Sequence, residues 1–320
     1  MSAVVSVGAR GPLGMNALSL SMGVRARKLA VLTLPWRDKR GARVGACAAG
    51  SLELAGYERM LALAAPALAE AAHGMARPLP LILALPERGR PDDDERFDGP
   101  ILGALSEKSG VPISLERSRV IRQGHAGGAL ALALALSEPE VLVGGVDSYV
   151  HRDVIAWLDA DCRLHAGGTE EGFIPSEGAA FALLQRRAKH RLATVAGIET
   201  GMEETVLLDQ PNVATTLTTM VHALVDRAAE PVDWVLSDLN GEHHRLREWM
   251  LVERRAALAD PLRHDRLPQA MGDVGAATGA LMLALSSHWW KAGCAPSSQV
   301  LAVLQSDGAE RGAVLLRAAS

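Results

Sequence analysis

"RQGHAGGALALALAL", residues 122–136, is the stretch that decides the fold. After one polar residue among glycines, His125, it continues with alanine and leucine on every face of the predicted helix. A helix that is apolar all round has to be buried on both sides. Its apolar run of about ten residues is too short to cross a bilayer. The stretch therefore predicts a helix in the middle of a soluble core.

The same pattern occurs a second time at 272–285, "GDVGAATGALMLAL", where Asp273 is the polar residue. The flanking segments repeat in the same order: strands at 3–9 and 192–201, helices at 58–75 and 215–229, strands at 79–87 and 232–242, and closing strands that begin with Gly-Ala at 178 and 312. Self-similarity in this order predicts an internal duplication. We place the first half over 1–187 and the second half over 188–320.

The alternation of short apolar strands with longer helices predicts an α/β architecture. Two helices that are apolar all round, one in each repeat, must then lie between two sheets, because each has to be covered on both sides. The remaining helices would cover the outer faces. We therefore predict a layered αβαβα sandwich.

Composition and charge narrow the possible functions. The chain has 320 residues with 33 basic and 37 acidic side chains, without a basic stripe or a polybasic run, so we expect neither a nucleic acid nor a membrane partner. Aromatic residues make up only 3%, which leaves few stacking surfaces for bases or sugars. The N-terminus does not show the pattern of a signal peptide. Three widely separated cysteines argue against a disulfide framework, so we expect the cytoplasm.

Four segments carry a resemblance to a known family. They are "VVSVGARGPLG" at 4–14, "VLVGGVDSYV" at 141–150, "GFIPSEGAAFALL" at 172–184 and "MGDVGAATGALMLAL" at 271–285. They resemble, in this order, segments of the β-ketoacyl synthases of the thiolase superfamily, over nearly the whole chain. The resemblance implies a thiolase-like fold of two duplicated βαβαβαββ halves. It also implies a dimer, with the strand at 118–124 at the two-fold interface.

The positions where this family carries its chemistry hold other residues here. His125 stands in place of the nucleophilic cysteine, and Asn240 and Asp273 stand in place of two histidines. Pro268 replaces a lysine, and the closing loop "QSDGAE" at 305–310 lacks the family's gating phenylalanine. Condensation needs a thiolate at a helix N-terminus and donors for the thioester oxygen and the enolate. An aspartate would repel a developing enolate, so we predict no carbon–carbon bond formation.

His125, Asn240 and Asp273 permit two interpretations. In the first, they hydrogen-bond one another in a closed pocket without chemistry, and the protein is an accessory or scaffold subunit. In the second, His125 is a general base oriented by Asp273 while Asn240 polarises a substrate carbonyl, which suits an acyl hydrolase or acyltransferase. Neither interpretation calls for a metal or another cofactor.

The accessory interpretation leaves the partner open. One candidate is a homodimer or a heterodimer with a related chain, as in synthase heterodimers whose inactive subunit shapes the acyl channel. The chain also resembles the short ketosynthase-like proteins that accompany type VI secretion genes and carry a histidine at the cysteine position. That likeness rests on "GHAGG", "GGVDSYV", "CRLHAGG" and "GFIPSEGAAFALL". It implies a secretion effector, an adaptor or an acyl carrier protein as the partner.

Two other groups of reactive side chains are candidate functional sites. His243 and His244 are adjacent and point about 100° apart on a helix, so we interpret them as a solvated helix start and not as a metal pair. Cys162, near His165, would be a displaced nucleophile only if two neighbouring aspartates allowed a thiolate to form.

The remaining candidates are assigned structural roles. Cys47 and Cys294 show no basic neighbour in the sequence and are expected to pack as apolar side chains. Glu177 lies in the well-kept "GFIPSEGAAFALL" segment, where the resemblance implies a buried, structural glutamate. The acidic loop "RGRPDDDERFDGP" at 88–100 is expected to be a solvated surface.

Overall fold

The computed structural model describes residues 2–165, 171–208 and 210–319. The first half contains β1 (Ser2–Arg10), α1 (Ala17–Arg25), β2 (Leu32–Arg37), β3 (Arg43–Ala46), α2 (Gly56–Ala71), β4 (Leu81–Leu85), α3 (Pro100–Ser109), β5 (Arg119–Arg122), α4 (Gly124–Ala135), β6 (Glu140–Ser148), α5 (Arg152–Ala160) and β7 (Glu177–Gln185). The second half contains β8 (Ala193–Met202), α6 (Glu204–Leu207), α7 (Thr215–Asp226), β9 (Trp234–Ser237), α8 (His243–Arg255), β10 (Arg263–Arg266), α9 (Leu267–Met271), α10 (Thr278–Lys291), β11 (Gln299–Gln305) and β12 (Glu310–Ala318). Short 3₁₀ helices lie at Glu95–Asp98, Leu115–Arg117 and Gly275–Ala277.

The strands of the two halves follow the same spatial order. This order is β5-β4-β6-β7-β1 in the first half and β10-β9-β11-β12-β8 in the second. In each half, the three strands at the outer edge pair in parallel. The closing strand, β7 or β12, pairs antiparallel with both of its neighbours. β1 and β8 pair over residues 2–4, which joins the halves into one ten-stranded sheet. The boundary at 187 and 188 falls between β7 and β8 and stays a prediction.

The two apolar helices, α4 and α10, lie between strands of the two halves. Helix α4 contacts β4 and β6 as well as β8 and β12, and α10 contacts β1 and β7 as well as β11 and β12. The helices touch through glycines, because a Cβ on Gly128 would lie 2.9 Å from the Cα of Gly279. No larger residue fits such a close approach of two backbones. The prediction of two buried helices between the strands of the two halves is confirmed, but the two predicted sheets are joined through β1 and β8 into one.

The longer remaining helices cover the outer faces of the sheet. Leu68 of α2 and Leu105 of α3 belong to an apolar core on the first half, and Leu224 of α7 and Trp249 of α8 belong to one on the second half. A third core surrounds α4 and α10. The protein is therefore the α/β sandwich with αβαβα layers that the sequence predicts. In the described ranges, no helix is both long enough and apolar enough to span a membrane.

The structure departs from the sequence-based prediction in its connections. The strand expected at 232–242 ends at Ser237, so that Asn240 lies in the loop that follows. The hairpin of β2 and β3 was not predicted. The loop at 88–100 is not simply a solvated surface, since Asp92 and Phe97 are 9% and 1% exposed. Phe97 is buried because its ring packs on that of Tyr57, with centroids 5.4 Å apart.

Candidate functional site

The structure brings together the three residues at which the sequence departs from the family's chemistry. His125 is the second residue of α4, Asn240 follows β9, and Asp273 precedes the 3₁₀ turn that leads into α10. His125 Nε2 lies 2.8 Å from Asp273 Oδ1, and Asn240 Nδ2 donates a hydrogen bond of 2.6 Å to Asp273 Oδ2. One carboxylate therefore binds both of the other side chains.

The backbone around Asp273 holds its carboxylate in place. The Asp273 N–H donates to the carbonyl of Ile174 at 2.9 Å, and the Gly275 N–H donates to Asp273 Oδ1 at 2.8 Å. Gly275 has a φ of +50°, and a Cβ there would lie 1.9 Å from a carboxylate oxygen of Asp147. Glycine is required at this position for both reasons. The local sequence Gly-Asp-Val-Gly thus fixes the position of the Asp273 carboxylate.

His125 and Asp273 form a buried hydrogen-bonded pair. Their residues are only 2% and 1% exposed. Burial disfavours the charged imidazole, but the Asp273 carboxylate outweighs this effect and raises the pKa of His125 above its ordinary value of 6.5. Burial likewise opposes ionisation of Asp273, yet His125 and Arg245 lower the pKa of its carboxyl to about 2. An imidazole held in its protonated form donates hydrogen bonds and cannot accept a proton.

Arg245 of α8 is a cation near this pair and is almost completely buried. Its guanidinium donates to carboxylates of Asp238, Glu242 and Asp307 at 3.2, 3.3 and 2.7 Å. Glu242 also accepts the Asn240 amide at 2.9 Å. Through Asn240 and Glu242, the His125–Asp273 pair is continuous with a network of buried charges.

Arg163 closes the same network from the loop after α5. It donates to Glu242 at 2.6 Å and to Asp307 at 2.7 Å. Sequence analysis did not find Arg163, Arg245, Glu242 or Asp307. Arg245 lies in the polar stretch "EHHRLREW", which looks like an exposed helix face in the sequence. The presence of Glu242 two residues after Asn240 was the only signal that could have pointed to this network.

Two backbone N–H groups near His125 are already bound to side chains of the protein. The Ala126 N–H donates to Ser306 Oγ at 2.9 Å, and Ser306 donates in turn to the carbonyl of Gln123. The Asp307 N–H donates to Glu87 Oε1 at 3.2 Å. Ser306 and Asp307 belong to the loop 305–310, which stands where the resemblance implies a gating loop. In this structure, the loop ties the start of α4 to neighbouring polar groups.

Two cavities flank the site. His125 lines one of about 150 Å³, together with Glu87, Arg88, Arg90, Asp147, Tyr149, Trp157, Arg163 and Asp307. Arg90 is buried there between Asp92 and Asp147, at 2.8 Å from each, which explains why Asp92 of the acidic loop is not solvated. Asn240 lines the other cavity, of about 300 Å³, with His165, Glu242, Leu246, Arg266 and Pro268. One cavity therefore borders the site at His125 and the other at Asn240.

The other candidates form none of the described hydrogen bonds with His125, Asn240 or Asp273. Cys162 is exposed, and its Sγ lies 3.0 Å from Nζ of Lys39, a neighbour that the sequence did not suggest. His243 begins α8, as predicted, and pairs with Glu171. The described residues contain no group of three or more His, Cys, Asp and Glu side chains that could hold a metal ion. Residues 166–168 of "CRLHAGG" lie outside the described residues.

The candidates with assigned structural roles are largely as predicted. Cys47 is buried, and burial raises the pKa of its thiol to about 11. Cys294 packs against the central core. Glu177 is completely buried, and it accepts hydrogen bonds from Arg59 at 2.6 Å and from Ser148 at 2.7 Å. The predicted burial of Glu177 is confirmed, and its structural role stays a prediction.

Comparison with known proteins places this fold among the ketosynthases. No protein-family model and no curated protein matches the sequence. The ishigamide ketosynthase/chain length factor superposes with a TM-score of 0.75 at 16% identity, over 100% of this chain and 99% of that chain. The ketosynthase complex AntDE:AntF superposes with a TM-score of 0.80 at 14% identity, over 100% of this chain and 99% of that chain. A ketosynthase domain of the bacillaene synthase from Bacillus subtilis 168 superposes with a TM-score of 0.76 at 12% identity, over 100% of this chain and 72% of that chain. At identities this low, the superpositions show that this chain shares the fold of these ketosynthases, and they show the fold alone.

Proposed function

We propose that this chain is a non-condensing, ketosynthase-like accessory or scaffold subunit that has kept the fold and lost the chemistry. The observation that carries the proposal is the buried hydrogen bond between His125 and Asp273, at positions where the resemblance implies a nucleophilic cysteine and a histidine. Neither residue offers a thiolate, and the carboxylate of Asp273 is charged in the folded protein.

The hydrogen bonds around the pair give a second reason. A condensing site needs free donors aimed at the position where an oxyanion develops. Here the Ala126 and Asp307 N–H groups are taken by Ser306 and Glu87. A substrate oxyanion would have to displace these partners, one of which is a carboxylate. These two N–H groups therefore bind side chains of the protein and are not free to stabilise a transition state.

One surface feature supports a role as a subunit of a larger assembly. Among the described residues, strand β5 is an edge strand hydrogen-bonded to β4 alone, and an exposed strand edge is commonly covered by a partner. We propose a homodimer or a heterodimer with a related chain through this edge. Two of the similar structures are a ketosynthase/chain length factor and a ketosynthase in complex with an acyl-carrier protein. An acyl carrier protein is thus one proposed partner, and a type VI secretion effector or adaptor in the cytoplasm is the other.

A second function is favoured by one specific observation, which is that His125 lines a cavity of about 150 Å³. A ligand in this cavity would meet an imidazole oriented by Asp273, the arrangement of a general base and its orienting carboxylate. The alternative is therefore an acyl hydrolase or acyltransferase that uses His125 with Asp273 and Asn240. It requires His125 to lose its proton, against the raised pKa of the imidazole.

An acyl-transfer assay on the purified protein distinguishes between these two functions. The purified protein would be incubated with acyl-CoA and with acylated carrier protein, and followed by intact-protein mass spectrometry and by release of free thiol. We expect neither an adduct nor hydrolysis above that of His125→Ala. A stable adduct at residue 125 or 162 would overturn the proposal. Hydrolysis that disappears in His125→Ala but persists in Cys162→Ala would establish the alternative.

The partner is best identified by capture from the native organism. A tagged protein would be compared with a Leu115→Lys variant, because Leu115 is 52% exposed beside the β5 edge. Partners lost from this variant but retained by Met250→Lys, an exposed position on α8, bind through β5. Recovery of the same proteins with all three baits would contradict an interface at this edge.

A further inference from the structure

A cavity of about 230 Å³ lies away from His125, between the end of α1, strand β10 and helix α9. Its walls combine buried aromatic rings with basic side chains. The proposed function makes no use of it. Arg266 and Gln269 separate it from the cavity that Asn240 lines.

The floor of this cavity is an aromatic surface whose polar atoms are already satisfied. Trp234 and Trp289 are 0% and 5% exposed, and their ring centroids are 5.9 Å apart. The Trp234 indole N–H donates to Asp265 at 3.1 Å, and the Trp289 N–H donates to the carbonyl of Ser21 at 3.0 Å. The indole N–H groups are therefore not available to a ligand, and the floor offers it apolar contact.

The rim carries an excess of positive charge. Arg25, Arg27, Arg263 and Arg266 line the cavity, and among the described residues that line it Asp265 is the only acidic one. Asp265 pairs with Arg27 at 3.2 Å and with Arg263 at 2.7 Å. Neither Arg25 nor Arg266 makes an ion pair within the ranges that the structure describes. Two guanidinium groups are thus left to bind an external anion.

We propose that this cavity binds a small organic anion, in which a carboxylate or phosphate group is attached to an aromatic or short acyl body. The arginines select the charge, and the tryptophan floor selects the apolar body. The volume suits a small molecule with one or two rings, and the floor is too deeply buried for a folded partner to reach. The assignment does not depend on the chemistry at His125.

The test uses calorimetric titration of the full-length protein with three probes of one shape: 2-naphthoate, 2-naphthyl phosphate and the neutral 2-naphthamide. We expect at least one of the anions to bind at least tenfold more tightly than the amide. Arg25→Gln and Arg266→Gln should each weaken that binding by about tenfold or more, as for the loss of a charge-assisted hydrogen bond. Arg254→Gln is the matched control, since Arg254 is an exposed arginine on α8 that lines no part of the cavity.

The outcomes separate clearly. Absence of binding by both anions at millimolar concentration would overturn the proposal, and so would equal binding of the amide. Equal weakening by Arg254→Gln would show a general charge effect and would also overturn it. If Arg266→Gln does not fold, Arg25→Gln decides alone, because Arg25 is exposed and its replacement leaves the core intact. Unchanged affinity in that variant would place the ligand elsewhere.

Discussion

The imidazole of His125 and the carboxylate of Asp273, 148 residues apart in the chain, share a buried hydrogen bond of 2.8 Å. Each residue stands at the start of one of the two central apolar helices, so the bond links the two halves of the molecule. A buried pair of this kind is costly to break, because removing one partner leaves the other charge without compensation.

Replacing His125 with alanine should lower the free energy of unfolding by about 1–3 kcal/mol, since it breaks a buried polar contact. Urea denaturation of parent and variant measures this directly. If the residue is structural, partner binding should be unchanged wherever the variant stays folded. Loss of function in a variant that is as stable as the parent would instead indicate a catalytic role.

The stability contributed by this pair should depend on pH in a defined window. The pKa of His125 is raised above 6.5 in the folded state, so its contribution is complete below 6.5 and is lost as pH rises through the raised value. The pKa of Asp273 is lowered from 3.8 to about 2, so its contribution is present above 3.8 and is lost as pH falls towards 2.

The difference in unfolding free energy between the parent and His125→Ala should therefore be largest between pH 3.8 and 6.5. Taking this difference cancels the titration of other groups, such as His264, whose pKa burial lowers to about 4. A difference that does not change from pH 5 to pH 9 would show that the pair is not ionic.

The protein should be a dimer at micromolar concentration, because β5 leaves a strand edge unpaired beside Leu115, which is 52% exposed. Light scattering of the parent measures the mass. Leu115→Lys should shift the equilibrium towards monomer, and Met250→Lys on the far helix α8 should not. A monomeric parent would contradict the proposed interface.

Replacing Glu177 with glutamine should destabilise the protein by about 3–5 kcal/mol, because Arg59 would keep a buried charge without its partner. Both residues are at most 3% exposed. Glu58→Gln is the matched control, since Glu58 and Arg96 form an exposed pair for which a change below about 1 kcal/mol is expected. Equal effects of the two substitutions on urea denaturation would argue against a buried ionic role for Glu177.

The layered fold was predictable from residues that carry the same information in any context. Alanine and leucine on every face of α4 and α10 require burial on both sides, whatever the neighbours are. The repeated order of strands and helices then led to the sandwich. The pairing of β1 with β8 was not predictable, because apolar strands show no preference for a particular partner in their sequence.

The positions of His125, Asn240 and Asp273 were found from the sequence because each follows a local signal, a glycine turn or the end of a strand. Their contacts were not determined locally. Only the packing of the two halves brings residues 148 positions apart to 2.8 Å. The buried arginines depend still more on tertiary structure, because Arg245 looks like any surface arginine on a polar helix. The sequence by itself determined which elements form the core and which side chains stand at the site, since hydrophobic periodicity and turns act locally. The tertiary structure alone decided which charges are buried and which partners neutralise them, since electrostatic pairing depends on distances that only the fold sets.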